Sequence, residues 1–316
     1  MQEAGRRGHP FQDGRVFPSH PFIAIGHMGL NGNFALRSSG MKKALCIGLT
    51  TFDNPSIAPL AGCVNDANLV AAILRRHFGF SEADIRLLAD DSATKAGVLN
   101  GLDWLADGAA RGDVLVFAIA THGTWVDDEG GGVRTGEESY SGTRKRVLIT
   151  RDYSDSTCLL DSEVNNILDR IPEEANCYCL MDTCHAGMTT GRFPAGRANP
   201  RARYDERNAD RKTPTDRDIA APHPKRAVYR GAMNRITIYG CGDDEKSYDV
   251  PTSIGHHGLL TFSLCQVLHN YDWNISVGAA YKEVRRRVGA LAKNLNLTQT
   301  PRVDGSWRLM SSNLFR

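Results

Sequence analysis

A histidine and a cysteine each follow an apolar run that is typical of a buried strand. The run DVLVFAIA at 113–120 leads to His122, and the run ANCYCLM at 175–181 leads to Cys184. An imidazole beside a thiol lowers the thiol pKa by ion pairing and can then protonate a leaving amine. Neighbouring parallel strands lie about 4.8 Å apart, so side chains at their carboxyl ends can meet. The pattern predicts a thiol hydrolase site with Cys184 as the nucleophile and His122 as its acid and base.

Two neighbours of this pair bear on the mechanism. Gly123 follows the histidine directly, and its lack of a side chain lets its N–H approach a substrate carbonyl. Together with the N–H of Cys184, the N–H of Gly123 could form an oxyanion hole. His185 is an alternative base, but adjacent strand residues point to opposite faces, and we expect it to be a structural neighbour instead.

Strands and helices alternate along the chain, which favours an α/β fold with a mostly parallel sheet covered on both sides. In such sheets the chemistry gathers at the carboxyl ends of the strands. The predicted strands are 43–49, 84–88, 113–120, 175–181, 235–239 and an edge strand at 303–309. The predicted helices are 65–78, 94–110, 161–171, 261–269 and 277–293.

Changes of composition predict four segments. Residues 1–40 are rich in Gly, Pro, Arg and His, which favours a disordered or loosely attached extension. Residues 41–191 are predicted to form a large subdomain and residues 231–316 a small one. Between them, residues 192–230 hold 11 Lys or Arg, 5 Asp or Glu, 5 Pro and no Leu. This linker therefore carries +6, against −4 for the remainder of a chain whose net charge is +2.

The overall composition excludes several classes of protein. With 41% hydrophobic and 23% charged residues the chain reads as an ordinary soluble globular protein. No run reaches the roughly 18 apolar residues that span a bilayer, so a cytoplasmic protein is expected. Cys46, Cys177, Cys179 and Cys241 lie in apolar runs and are interpreted as core residues. Their spacing matches no zinc site, and no disulfides are expected.

Seven stretches, in order, resemble metacaspases and bacterial orthocaspases of the caspase-like superfamily of cysteine peptidases. They are KALCIGL, LAGCVNDAN at Leu60–Asn68, ATHG, MDTCHAG, ITIYGCGDDEKSYD, GLLTFSLCQVL at Gly258–Leu268, and QTPRV. The resemblance implies a caspase-hemoglobinase-like fold, with a mainly parallel six-stranded sheet and helices on both faces. It also implies His122 and Cys184 as the catalytic dyad.

The same resemblance implies cleavage after Arg or Lys, and not after Asp as in true caspases. Asp182 lies two residues before Cys184 and so shares its strand face, and Asp66 matches the second acidic residue of the family's pocket. Two carboxylates bind a guanidinium by charge-assisted, bidentate hydrogen bonds. Cys63 and Ala120 match further positions that line this pocket. For Asp66, the alternative is a charge at a helix N-terminus, stabilised by the helix dipole.

Three positions depart from the family pattern. Ala120 takes the place of a pocket serine, Ala186 takes the place of a serine after the cysteine motif, and Ser162 replaces one aspartate of a calcium-binding pair. Asp161, the other member of that pair, is present, but calcium needs six or more oxygen ligands. We therefore predict no required cofactor and keep Ca²⁺ at Asp161 as an alternative. Further acids in an adjacent Gly-rich loop are Asp127, Asp128, Glu129, Glu137 and Glu138.

The basic linker offers cleavage sites to an arginine-directed peptidase. Loops without secondary structure are preferred sites of cleavage. Our hypothesis is that 192–230 is a processing or pseudosubstrate loop of a self-restrained zymogen, cut by the enzyme itself or by an upstream protease. The alternative is a solvated tether. The candidate positions are Arg192, Arg197, Arg201, Arg203, Arg207, Arg211, Lys225, Arg226 and Arg230.

Three functions other than a peptidase are alternatives. A catalytically inactive caspase-like scaffold is the main alternative, although such domains usually lack the Cys or the His. A different thiol hydrolase on a similar sheet is disfavoured by the acidic pair. Nucleic-acid binding through the linker lacks an aromatic stacking platform. The expected partners are protein substrates with exposed Arg or Lys, with no nucleic acid and no membrane, and a monomer is expected by analogy.

Overall fold

The structure is a computed structural model, which describes residues 40–127, 144–154, 156–183, 201–202, 234–242 and 245–316. These residues belong to one compact unit, Ser38–Arg316. Its strands are β1 (Lys42–Gly48), β2 (Ile85–Ala89), β3 (Val114–Ala120), β4 (Gly123–Asp127), β5 (Arg144–Leu148), β6 (Leu159–Leu160), β7 (Asn176–Asp182), β8 (Arg201–Ala202), β9 (Arg235–Tyr239), β10 (Tyr248–Thr252), β11 (Gly255–Gly258) and β12 (Arg302–Gly305). Its α-helices are α1 (Cys63–His77), α2 (Lys95–Ala106), α3 (Asp161–Leu168), α4 (Leu259–Asn270), α5 (Val277–Asn294) and α6 (Trp307–Met310).

A six-stranded sheet forms the centre of the fold, in the order β12-β9-β7-β3-β1-β2. Its strand pairs are all parallel except β12, which runs antiparallel to β9. Two three-stranded sheets accompany it, one formed by β4, β5 and β6 and the other by β8, β10 and β11. The predicted mainly parallel, six-stranded α/β fold is confirmed.

Side chains of the central strands alternate between two apolar cores. Along β1, Ala44 and Cys46 face the core under α1, α4 and α5, whereas Leu45 and Ile47 face the core under α2 and α3. Every residue of β3 is buried, as its uninterrupted apolar sequence predicts. Because burying one Val, Leu, Ile or Phe side chain contributes about 1.5–3 kcal/mol, this strand is a rigid base for the residues that follow it.

Two features of the fold differ from the sequence-based prediction. The edge strand predicted at 303–309 is Arg302–Gly305, because the pairing with β9 reaches Ile236, opposite Gly305, and the chain then enters α6. The two small sheets were not predicted. Their strands are two to five residues long, and all their pairings except the β10–β11 hairpin join strands that are more than ten residues apart, so they carry little local periodicity.

Candidate active site

The ends of β3 and β7 are aligned residue by residue. The two strands are parallel neighbours, and their last paired residues are Ala120 and Asp182. His122 lies two residues beyond Ala120, and Cys184 lies two residues beyond Asp182. Cys184 itself, with His185 and Ala186, lies outside the described residues.

His122 is buried and held by a backbone carbonyl. Its Nε2 lies 2.8 Å from the carbonyl oxygen of Ala58, and its ring centroid lies 5.3 Å from that of Phe52. Since a carbonyl only accepts hydrogen bonds, Nε2 carries the hydrogen in this arrangement and Nδ1 is the basic nitrogen of the neutral ring. The Ala58 carbonyl thus orients the imidazole, as a third group does in other nucleophile–base pairs. The sequence gives no signal for this partner, because any residue supplies a carbonyl.

The N–H of Gly123 points away from the strand next to it. The N–H of Ile149 donates to the His122 carbonyl at 3.0 Å, and Gly123 is opposite Leu148 in the β4–β5 pairing. In an antiparallel ladder this makes Gly123 and Leu148 a non-hydrogen-bonded pair. The Gly123 N–H is therefore directed outward beside His122, which is the orientation that an oxyanion-hole donor needs.

Asp182 is 1% exposed and held by donors from two separate parts of the chain. Its Oδ1 accepts from Ser247 Oγ at 2.8 Å, and its Oδ2 accepts from the N–H and the hydroxyl of Thr261 at 3.1 and 2.8 Å. Gln299 Nε2 donates in turn to Ser247 Oγ at 3.1 Å. Gly240 makes room for this network, because a Cβ there would lie 2.6 Å from Ser247 Oγ.

Asp66 belongs to α1 and contacts the N-terminus of α4, the same helix that donates hydrogen bonds to Asp182. Both of its oxygens accept from the N–H of Gly258, at 3.2 and 3.0 Å, and Gly258 is the N-cap of α4. Thr261, which donates to Asp182, lies in the first turn of that helix. The free N–H groups and the dipole of a helix N-terminus stabilise negative charge. The two predicted pocket carboxylates therefore converge on the first turn of α4.

Cys63 and Ala120, the two other residues predicted to line the pocket, lie close together. They pack with Leu60 in a small apolar cluster, and Ala120 is directly opposite Asp182 in the sheet. Cys63 is also one helical turn before Asp66 in α1. The structure thus brings all four predicted pocket residues to one edge of the sheet, beside His122.

Asp249 is a third buried carboxylate in this region and was missed by the sequence analysis. It is 1% exposed, and its Oδ2 accepts from the N–H groups of Ala61 and Gly62, both at 2.9 Å. The signal that could have found it is the Asp that ends the ITIYGCGDDEKSYD stretch. These hydrogen bonds connect β10 to the start of α1, next to the predicted pocket residues.

Asp161, the predicted calcium ligand, begins α3 and lines a cavity of about 40 Å³ together with Arg146 and Tyr239. Burial raises the pKa of Asp161, and the charge of Arg146 acts in the opposite direction. No group of three or more His, Cys, Asp or Glu that could hold a metal occurs among the residues that the structure describes. Calcium takes six to eight oxygen ligands, so the described surroundings of Asp161, with an arginine as neighbour, do not fit the ion.

The remaining acids considered for calcium and most linker arginines are outside the described ranges. Asp127 ends β4, whereas Asp128, Glu129, Glu137 and Glu138 are not described. Within 192–230 the structure describes Arg201 and Ala202, which form β8 and pair with Asp249 and Tyr248. The sequence showed no strand period there. The positions outside the description are Arg192, Arg197, Arg203, Arg207, Arg211, Lys225, Arg226 and Arg230.

The four cysteines interpreted as core residues are buried. Cys46 and Cys177 are fully inaccessible, and Cys179 and Cys241 are 2% and 6% exposed. Burial raises the pKa of Cys46 to about 12, so this thiol is unreactive near neutral pH. In the part of the chain that the structure describes, no helix is both long and apolar enough to cross a membrane.

A parallel sheet of this order, with a histidine after β3 and buried aspartates beside it, defines a protein of the caspase-like class. Two solved structures share this fold. A protein from Geobacter sulfurreducens aligns over 87% of this chain and 98% of its own, with a TM-score of 0.61 and 20% identity. Caspase-1 from Spodoptera frugiperda aligns over 89% of this chain and 94% of its own, with a TM-score of 0.52 and 12% identity.

The model of the caspase domain family matches residues 41–308, and the chain therefore belongs to this family of cysteine peptidases. Its curated relatives are metacaspases. Metacaspase-1 of Cryptococcus neoformans is 32% identical over 156 residues, which are 47% of this chain and 32% of that protein. Metacaspase-2 of Arabidopsis thaliana is 26% identical over 241 residues, or 72% of this chain and 52% of that protein. The chain thus spans about half or less of the length of these relatives.

Proposed function

We propose that this chain is a cysteine endopeptidase that cleaves protein substrates after Arg or Lys. The observation that carries the proposal is the convergence of two buried carboxylates, Asp66 and Asp182, on the first turn of α4, beside the strand end that leads to His122. Two carboxylates at one place favour a guanidinium or ammonium group and repel an acidic side chain.

In the proposed mechanism the substrate's basic side chain enters between Asp66 and Asp182. The Cys184 thiolate attacks the carbonyl carbon of the scissile bond, and the tetrahedral oxyanion accepts from the N–H of Gly123 and of Cys184. His122, protonated at Nδ1 by the thiol, then gives that proton to the leaving amine as the C–N bond breaks. Water hydrolyses the resulting thioester, and the thiol is restored.

We further propose that the basic linker restrains the enzyme until it is cut. The support is the position of Arg201, whose backbone pairs with Asp249, a neighbour of the acidic pocket. Since residues 192–230 carry a net charge of +6, we expect this segment to be attracted to buried carboxylates. Cleavage within 192–230, by this enzyme or by another, would release that contact.

The test is hydrolysis of fluorogenic peptides that carry Arg, Lys or Asp before the scissile bond. We expect turnover of the Arg and Lys peptides without added calcium, no turnover of the Asp peptide, and no turnover of any peptide by Cys184→Ala. Parallel reactions with calcium and with EDTA determine whether the ion contributes. Turnover that persists in Cys184→Ala, or that is equal for Asp and Arg, would contradict the proposal.

A further inference from the structure

His257 is a buried histidine beside the acidic pocket, and no role was predicted for it. It lies in β11, is 3% exposed, and its Nδ1 is 2.9 Å from Oδ1 of Asp66. The next residue, Gly258, donates its N–H to both oxygens of the same carboxylate. His257 and Gly258 therefore hold Asp66 together, across 191 residues of sequence.

Both the ring and the backbone of His257 are closely packed. Its ring lies 6.2 Å from the Phe262 ring at an interplanar angle of 23°, which places it against the first turn of α4. The Cα and the N of His257 approach Gly62 so closely that a Cβ at position 62 would lie 2.8 Å from each. The backbone contact with Gly62 therefore positions the residue, and the contacts with Phe262 and Asp66 orient its ring.

In the described hydrogen bonds, the type of donor distinguishes Asp66 from Asp182 and Asp249, the two other buried aspartates of this region. The described hydrogen bonds of Asp182 and Asp249 come from hydroxyl and backbone N–H groups. Asp66 also receives one from an imidazole, which is a titratable group. A neutral imidazole orients the carboxylate and leaves its negative charge intact, whereas a second proton would cancel that charge.

The negative charge of Asp66 affects the pKa of the nearby Cys265 thiol. Among the described residues, Asp66 on α1 contacts His257, Asp249 on β10 pairs with the next residue, Gly258, and the neighbouring His256 is exposed. Burial raises the pKa of the Cys265 thiol, and the negative charge of Asp66 raises it further. A carboxylate that retains its charge is what a basic substrate side chain requires.

We propose that His257 is a positioning residue for substrate specificity, whose imidazole donates its Nδ1 hydrogen to Asp66 and so aims this carboxylate at the substrate's Arg or Lys side chain. This inference rests on the proposed function of the pocket. Because Asp66 meets the substrate side chain and not the reacting carbonyl, loss of His257 should weaken substrate binding and leave the chemical step largely unchanged.

Two substitutions distinguish the effect of the hydrogen bond from the effect of the aromatic ring. His257→Asn places an amide N–H where Nδ1 lies and cannot take a second proton, whereas His257→Phe keeps a ring and removes the donor. Since a hydrogen bond to a charged group is strong, we expect His257→Phe to raise KM for an Arg peptide by about tenfold or more. We expect kcat to stay within about threefold and His257→Asn to restore KM to within about threefold of the wild type. His256→Asn, on the exposed neighbouring residue, is the matched control and should behave as the wild type.

Several results would overturn the inference. An unchanged KM in His257→Phe, an equal loss in the Asn and Phe variants, or a loss confined to kcat would each do so. If His257→Phe does not fold, ¹⁵N NMR of the wild-type protein provides the test, because the inference requires a hydrogen on Nδ1 of His257. A ring with its hydrogen on Nε2 alone would contradict it.

The proposed function can fail separately from this inference. If the wild type cleaves none of the peptides, binding of a peptide that ends in Arg to Cys184→Ala, measured by calorimetry, still tests the pocket. Weaker binding by Cys184→Ala/His257→Phe than by Cys184→Ala/His257→Asn would support the role of His257. Equal binding by the two double variants, or no binding by either or by Cys184→Ala, would overturn it.

Discussion

At the scale of single residues, the site depends on how buried carboxylates are kept charged. Asp182 is 1% exposed, yet three described hydrogen bonds from Ser247 and Thr261 replace the water it loses. Hydrogen bonds to a charged group contribute about 1.5–3 kcal/mol each, which offsets much of the desolvation cost. These hydrogen bonds hold the carboxylate of Asp182 in one orientation.

We predict that Asp182→Asn lowers kcat/KM for Arg peptides by at least about tenfold, because a neutral amide cannot pair with a guanidinium. Steady-state kinetics on Arg and on uncharged peptides measures the effect. Asp113→Asn is the matched control: Asp113 is 5% exposed, and its carboxylate accepts from the N–H groups of Met41 and Ala110 at the opposite end of β3. That variant should lose about 1–2 kcal/mol of stability and keep its selectivity. Unchanged Arg selectivity in Asp182→Asn would contradict the pocket.

At the scale of elements, the loop between β1 and α1 positions His122, the histidine that we propose to be catalytic. This loop carries Ala58, whose carbonyl orients His122, and it is anchored by Asp90. The Asp90 carboxylate accepts from the N–H of Thr50, the hydroxyl of Thr50 and the N–H of Thr51, at 2.7 to 3.0 Å. Burial tends to raise the pKa of Asp90, but these hydrogen bonds outweigh it and the net shift is downward.

The hydrogen-bonded carboxylate of Asp90 should make the free energy of unfolding depend on pH. A carboxyl group whose pKa is lower in the folded state stabilises the fold above its unfolded pKa, near 3.8, and this contribution disappears as the pH falls through the folded pKa. Asp90→Asn should therefore reduce the free energy of unfolding by about 1 kcal/mol at pH 7, the figure being kept small for a largely exposed group. Asparagine also tolerates the φ of +40° at this position.

Urea unfolding of the wild type and of Asp90→Asn between pH 7 and pH 3 measures this difference. We expect the two free energies of unfolding to converge toward the acid end of the range. A difference that stays constant across the range would mean that the charge of Asp90 contributes nothing and that the anchor acts through neutral hydrogen bonds.

At the scale of the whole molecule, charge is divided between a basic linker and an acidic body. The linker carries +6 and the remainder of the chain −4. The pairing of Arg201 with Asp249 brings the described part of the linker to the acidic pocket. If the site is directed at arginine as proposed, this arginine-rich segment is a candidate substrate of the enzyme itself.

We predict that purified wild-type protein shows cuts after basic residues of 192–230 and that Cys184→Ala stays intact. Intact-mass spectrometry and sequencing of the new termini measure this. The control is wild-type protein mixed with Cys184→Ala, which separates cleavage within a molecule from cleavage between molecules. Identical intact masses for the two proteins would contradict self-processing and leave activation to another protease.

Many of the strands and helices were predictable because each is determined by residues that are close together in the sequence. The parallel strands of the central sheet are short, largely apolar runs and the longer helices have an apolar stripe, so periodicity located both, whereas the antiparallel edge strand β12 (RVDG) lacks such a run. The six-stranded arrangement came from the resemblance and not from periodicity, because sheet order depends on contacts between distant residues. The small sheets escaped prediction for the same reason, as the two-residue strand Arg201–Ala202 illustrates.

The sequence by itself determined which side chains are available at the strand ends: His122, Cys184 and Asp182, each placed by the end of an apolar run, and Asp66 through the resemblance. Tertiary structure alone decided what holds them. The Ala58 carbonyl has no residue-specific signal, and His257 meets Asp66 across 191 residues. Backbone groups are the same in every residue, and long-range contacts leave no local pattern, so only the folded chain reveals the partners that orient and charge the site.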